Sequence, residues 1–584
     1  MRKASLFQRI AVFSYIFAVF GVQAQPYTVV SPEAQVQEGL RRQEERLRSQ
    51  QDAVTPKLDV LKPATATPFK VPVAGDDTCF VVNDIRFTGN GAGRFAWLKD
   101  TARPYVNRCV GVNRLTQLVT DLDEKLLALG FVTTRASLPQ QNLQFGQLLV
   151  NLHVGRIAEV RMVRRSDSEG DNNWGTWKNA FPINSADVLN IRDLEQGVEQ
   201  MNRLPSQNVT TRLIPGAEPD TTVVIIAREL AALSDRIRGG ISLDNSGGRA
   251  LGRAQFSGNL SIDNLAGLND LANVSLSSNL EQPDPSHRSQ SIGLNYSLPW
   301  GYNTLSFNTS QSRFAQYVQG TTVRFLSSGT SRSGEVRLAR TLLRTSSAKL
   351  GAHTSVSVRR ANSYLDDVEL LVQRRRTTTL EAGLSYKQLF ERSSLELDLA
   401  TRRGMPWLQA QEDFQAVNPG DLTLRPRIVS ASAAFSTAFA VGSTSDDQPA
   451  RTVQYSALLR GQHTRSNTLS IDQFAIGGRG SVRGFDGDAV LIAESGFVLR
   501  NEWTTPLKLV ESIQSNLVLG FDIGRVFGPS DVSLVGRQLA GLAVGLRGRV
   551  GAMNFDVSWA HPLSAPSGFK TKSNSLYASA TYAF

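Results

Sequence analysis

From about residue 235 to Phe584, apolar and polar residues alternate with period two, and helical spacing disappears. Ile292, Leu294, Tyr296 and Leu298 alternate with Ser291, Gly293, Asn295 and Ser297. Leu395, Leu397 and Leu399 alternate with Ser394, Glu396 and Asp398, and Phe555, Val557 and Trp559 with Asn554, Asp556 and Ser558. A strand with one apolar and one strongly polar face fits a soluble sandwich with its polar side out, or a closed barrel in lipid with its polar side in. The number of such strands favours the barrel, because closure satisfies every backbone polar group inside a bilayer. At about 22 residues per strand and connection, the region predicts an all-β transmembrane barrel of about sixteen antiparallel strands.

What precedes the barrel is of a different kind. Arg2, Lys3 and Arg9, the apolar run Ile10–Phe20 and the small-residue motif Val22-Gln23-Ala24 read as a signal peptide over 1–24, too short for an anchor and followed by polar sequence. A helix is expected over 31–52, with Ser31 at the N-cap, Pro32 in its first turn and only Val36, Leu40 and Leu47 as an apolar stripe. Such a helix suits bulk solvent or a wet lumen. Residues 53–77 carry Pro56, Pro63, Pro68 and Pro72 and read as an extended linker.

Residues 78–231 repeat one strand–helix–strand–strand pattern, over 78–154 and 155–231. The first copy predicts a strand at Phe80–Phe87 and a helix through Leu115, Leu118, Val119, Leu122 and Leu126, with Asn113 as cap and Gly130 as stop. Strands at Phe131–Ala136 and Leu148–Val154 complete it. The second copy predicts strands at Ile157–Val163, Val209–Ile214 and Thr222–Arg228, around a helix through Leu194, Val198 and Met201 that ends before Pro205.

The formal net charge is +11, and removing Arg2, Lys3 and Arg9 leaves +8. The basic residues are scattered among strands, which fits a channel lining better than a nucleic-acid surface. Cys79 and Cys109 are the only cysteines. An exported chain would pair them as a structural disulfide, and their spacing fits neither a redox motif nor a metal site. The five histidines are scattered, and no nucleophile elbow, zinc helix or phosphate loop is present. No enzyme activity, cofactor or metal is expected.

The order of signal, polar helix, linker, two small α/β modules and barrel resembles the TpsB transporters of two-partner secretion. Local motifs carry the same resemblance. Asn202-Arg203-Leu204-Pro205, with Ile214-Pro215-Gly216, looks like the second POTRA signature of that family. Ser242–Gly247 resembles its opening barrel strand, and Asn264–Asp270 its first hairpin. Pro219-Asp220-Thr221 departs from the pattern, where a Gly is common. The most specific match is Gly477-Gly478-Arg479-Gly480-Ser481-Val482-Arg483-Gly484-Phe485. In the family this motif tips a long extracellular loop that folds into the lumen, where its Arg meets an Asp on the wall.

Alternation alone supplies that Asp. Leu517, Leu519, Phe521 and Ile523 share one face, so Asp522 lies on the other, in Phe521-Asp522-Ile523-Gly524. The resemblance therefore implies a lumen lock between Arg483 and Asp522, with Val482, Gly484 and Phe485 around it. Arg500, Glu502, Arg547, Arg549 and Arg337 also fall on inward positions, where they read as padding of a wet lumen. Tyr582 and Phe584 end the last strand on its lipid side and look like an outer-membrane sorting signal. The implied function is secretion of an unfolded exoprotein, recognised in the periplasm by the POTRA pair, through a pore plugged at rest by the 31–52 helix. Implied partners are a large TpsA-type adhesin, cytolysin or contact-dependent toxin, outer-membrane lipid, and the barrel-assembly machinery during biogenesis. The rivals are a barrel-assembly insertase, which usually has more POTRA copies and no plug helix, and a passive porin, which has no such modules.

Overall fold

The computed structural model describes residues 61, 79–164, 175–230, 234–249, 251–280, 287–319, 323–414, 421–441, 451–510 and 513–584. The expected signal peptide, the 31–52 helix and, apart from Leu61, the 53–77 linker lie outside them.

In the first module, Asp84–Thr88 runs parallel to Gln147–His153, and Arg135–Ser137 pairs antiparallel on its other side. The helix Val112–Ala128 lays Leu118, Leu122 and Leu126 against Leu148, Val150 and Leu152, all fully buried. The expected strand Phe80–Phe87 is two strands. Phe80–Val82 pairs with Arg108–Val110, whereas Asp84–Thr88 joins the main sheet. The chain changes partner at Asn83, whose N–H and that of Asp84 both donate to the Gly146 carbonyl. Gly111, rather than Asn113, is the helix N-cap. The strand expected from Phe131 begins only at Arg135, because Phe131 turns inward and meets the Phe95 ring edge-on, centroids 5.0 Å apart.

Cys79 and Cys109 are disulfide-bonded beside the small two-stranded sheet, their Cα atoms 5.3 Å apart. The bridge closes a loop of 30 residues' separation, which restricts the unfolded chain by about 3–4 kcal/mol. Cys79→Ser/Cys109→Ser is therefore expected to make the first module cleavable by protease well below the temperature at which the parent resists, with the barrel unaffected.

The second module repeats the plan, with Thr221–Leu230 central between Arg156–Arg164 (parallel) and Gln207–Pro215 (antiparallel). Its helix, Ile191–Asn202, starts at Asn190, whose side chain accepts from the Arg192 N–H (2.8 Å). In the turn where the sequence departs from the family pattern it resembles, Asp220 takes the left-handed conformation (φ 56°) that a Gly adopts freely.

Sixteen antiparallel strands close the barrel, from Ile237–Asp244 to Ser575–Ala583, which pair with each other through Asp244–Gly240 and Ser579–Ala583. A two-residue strand, Val368–Glu369, only extends one rim. Side chains alternate as expected: Leu517, Leu519 and Phe521 are 38–42% exposed, whereas Val518 and Asp522 are buried. Tyr582 and Phe584 are exposed on the outer face, and Phe584 exchanges backbone hydrogen bonds with Gly239 across the closure.

The second module sits on one rim, against the turns after Asp263, Trp300 and Arg344. Arg203 donates to Ser297 Oγ (2.9 Å) and to the Asn269 carbonyl (3.0 Å). Burial pushes its guanidinium down to about 10, against the pull of Asp270 and Asp263, so it stays charged at neutral pH. Gln200 donates to the Gly301 carbonyl (3.1 Å), and Tyr302 donates to Asp193.

Candidate functional site

The connection 464–494 leaves the rim opposite the modules and turns back into the barrel. A short hairpin, Phe474–Ile476 with Leu491–Ala493, braces its stem. Ile476, Leu491 and Ala493 pack with Val482, Phe485, Val498, Val526 and Leu539, all fully buried. This apolar cluster seats the loop, and the intervening glycine-rich tip carries Arg483 to the wall.

Arg483 and Asp522 meet there. The guanidinium donates through Nε to Asp522 Oδ2 and through Nη2 to Oδ1, both at 2.7 Å, and the Arg483 backbone N–H donates to Oδ2 at 2.9 Å. Asp522 is fully buried and Arg483 is 6% exposed. Two parallel charge-assisted bonds fix both the position and the rotation of the loop tip. A buried pair of this kind adds little net stability to a fold, but losing one partner costs about 3–5 kcal/mol because the other charge is stranded.

Three of the residues read as padding, Arg500, Glu502 and Arg547, join the ion pairs around Arg483 and Asp522. Arg483 Nη1 donates to Glu502 (2.8 Å), which also accepts from Arg547 (2.9 Å), and Arg547 donates on to Asp556 (3.0 Å). Arg500, directly across the strand pair from Asp522, stands 3.8 Å from its carboxylate. Arg337 stands 3.8 Å from Glu381, and Arg549 turns to the Gly551 carbonyl at the rim. Alternation could place each of these inward. It could not reveal that a loop returning from elsewhere in the chain would complete the network.

Tyr577 and Gly541 were not singled out by the sequence. Tyr577 donates to the Phe485 carbonyl (2.6 Å) and accepts from the Gly484 N–H (3.3 Å), so it clasps the motif beyond the ion pair. The Phe485 ring meets Phe569 edge-on at 5.6 Å. Gly484 itself requires φ 110°. Gly541 lies opposite Asp522 on the neighbouring strand, and a Cβ there would stand 1.7 Å from the Arg483 carbonyl oxygen. Gly541→Val leaves every charge in place but is expected to expel the loop, and should raise single-channel conductance severalfold in planar bilayers.

Beside the loop remains a cavity of about 1010 Å3, lined by Arg479, Arg500, Arg547 and Asp556 among polar neighbours. The loop fills part of a polar, arginine-lined lumen. Among the described residues no three or more His, Cys, Asp or Glu side chains are grouped so as to hold a metal ion.

Known proteins share this plan. Residues 220–548 match the family model of the haemolysin secretion/activation protein ShlB/FhaC/HecB. The chain belongs to this family. In this transporter, residues 80–155 match a ShlB-type POTRA domain and residues 157–215 a second POTRA domain. It is 36% identical over 482 residues to the outer membrane transporter CdiB-2 of Burkholderia pseudomallei, covering 82% of this chain and 79% of that one. It is 25% identical to the hemolysin transporter protein ShlB of Serratia marcescens, covering 75% and 74% of the two chains. The solved structure of CdiB from Escherichia coli superposes with a TM-score of 0.77 at 27% identity, over 95% of this chain and all of that one. The transporter is therefore an outer-membrane protein with its POTRA domains in the periplasm, and the rim they occupy is the periplasmic one.

Proposed function

We propose that this transporter carries an unfolded exoprotein of the TpsA type from periplasm to cell surface through the barrel lumen, with the Arg483–Asp522 contact as the lock of its resting state. The observation that carries this reading is the way the lumen is closed. Among the described residues its obstruction is a loop held to the wall by ion pairs and a tyrosine clasp, which can be exchanged for water or for passing chain. A passive porin needs no such fastening.

The POTRA domains would take the cargo first. Their sheets end in the edge strands Asp84–Thr88, Arg135–Ser137, Arg156–Arg164 and Gln207–Pro215. An extended peptide can add to such an edge through backbone hydrogen bonds with little demand on sequence. Val112 and Phe145 of the first domain, 73% and 85% exposed, offer apolar anchors nearby. The 1–24 signal directs export, the 53–77 linker lets the 31–52 helix reach and plug the pore, and folding of the cargo outside the cell draws the chain through. Likeness to CdiB transporters favours a contact-dependent toxin as cargo, with ShlB-like cytolysins next. Tyr582 and Phe584 serve recognition by the assembly machinery.

The test is co-expression with the large exoprotein encoded beside it, bearing its N-terminal secretion domain. Release to the medium only when the transporter is present is expected. No release by a correctly assembled barrel would overturn the reading.

A further inference from the structure

Outward faces of the barrel are apolar through their middle, and in the sixteen barrel strands no Asp or Glu occupies an outward position; the outward Glu369 lies on the two-residue rim strand and is paired with Arg374 at 2.7 Å. Arginines do. In Arg324–Arg344 the outward residues Val336 and Leu338 are 46% and 45% exposed, which places Arg332 on the same face nearer the extracellular rim. Register carries that face to the neighbouring strands. Arg332 lies directly across from Arg360, and Arg360 directly across from Arg376. On the next two strands, Arg403 lies directly across from Arg427, and Arg313 flanks the row on its other side.

Each of these six sits on the extracellular side of its own strand's apolar stretch. They occupy one sector only. From Gln538–Val550 round through the closure to Leu271–Asn279, outward positions carry no Arg or Lys, and residues such as Leu563 and Leu576 take the extracellular ends. Like charges directly opposite on a sheet face repel, with Cβ atoms only about 5 Å apart. Arg376 reaches the Leu408 carbonyl (3.3 Å) and Arg313 lies beside Gln311. Arg332, Arg360, Arg403 and Arg427 have no acidic partner among the described residues. A cationic row at the upper edge of the apolar belt, with no carboxylate paired to these four arginines among the described residues, calls for anions held at that depth in the membrane.

We propose that this sector is a docking surface for a phosphate-bearing glycolipid of the outer leaflet, of the lipid A class. Guanidinium groups bind phosphate oxygens bidentately and keep their charge at any physiological pH. Acyl chains lie along Val336, Leu338, Leu384 and Leu399, while headgroup phosphates bridge arginines of adjacent strands. One flank of the transporter thereby carries a fixed lipid coat, and the opposite flank, where the barrel closes, does not.

The test uses the full-length protein extracted in mild detergent, with lipid A per folded barrel measured by mass spectrometry. R332Q/R360Q/R376Q is expected to retain at least fivefold less lipid A than wild type. R340Q/R451Q, which removes outward arginines at the periplasmic edge, is expected to stay within twofold. Wild-type retention by the triple variant, or equal loss in the control, would overturn the proposal. A second arm needs no variant. Delipidated wild type is warmed with lipid A, dephosphorylated lipid A or inorganic phosphate, and only the first is expected to raise its melting temperature. An equal rise with dephosphorylated lipid A would refute phosphate recognition, and a full rise with inorganic phosphate would refute a lipid site.

Discussion

Asp522→Ala is expected to release the loop from the wall, open the resting pore and cut secretion at least tenfold, while the barrel still folds into the membrane. Asp522 accepts three hydrogen bonds from Arg483 alone, two from its guanidinium and one from its backbone. Without it, the guanidinium keeps Glu502 and the Asn501 carbonyl but is left with excess charge in a buried place. A stranded charge of this kind costs about 3–5 kcal/mol, enough to move the seated-to-unseated ratio by roughly two to four powers of ten. Arg483→Ala reaches the same end by removing the fastening itself, and Asp522 then retains Arg500 at 3.8 Å. Because both act on one contact, Arg483→Ala/Asp522→Ala should be no worse than the worse single variant. Planar-bilayer conductance reads the loop, and exoprotein in the medium reads the cargo. Normal secretion and normal conductance in both single variants would remove the lock from the mechanism.

The parts of this lock differ in how far the sequence exposed them. Period two is a local property, so Leu517–Gly524 could be read as a wall strand with Asp522 inward from eight residues. The same logic put Arg500, Glu502 and Arg547 inward. Partnership is not local. Glu502 gains its role because Arg483 arrives from a loop that leaves the far rim, folds back and descends beside it. Gly541 looked like any small inward residue, since the backbone pressed against it belongs to that same loop. In the POTRA domains, helical spacing found both long helices. The break at Asn83 stayed hidden because both halves keep the same alternation and only their partners change.

Strict alternation also fails at one barrel position that carries a large expected effect. Val336, Leu338 and Leu342 face outward, and period two would send Arg344 the same way. The register slips between Thr341 and Leu343, and Leu342 and Leu343 are both exposed, at 52% and 53%. One extra residue inverts everything beyond it. Arg344 therefore turns in under the barrel, where its side chain is 1% exposed and donates to Glu199 (2.7 Å) and Gln196 (3.1 Å) on the helix of the second POTRA domain. Glu195 stands 3.7 Å away, and Lys349 also pairs with Glu199. Arg344→Ala leaves Glu195 and Glu199 with one fewer cation in a shielded interface and is expected to weaken docking by about 3 kcal/mol. With cysteines at Gln200 and Thr304, whose side chains meet at 3.3 Å, disulfide trapping of the docked domain should fall at least fivefold. Secretion should fall with it, since cargo is then delivered off the axis of the lumen. Arg340→Ala, outward on the same strand, should change neither. Deleting Leu342 keeps Arg344 but restores plain alternation, which turns its side chain toward lipid; trapping should drop as far as in Arg344→Ala. Undiminished trapping in the deletion would show that the bulge does not aim this residue.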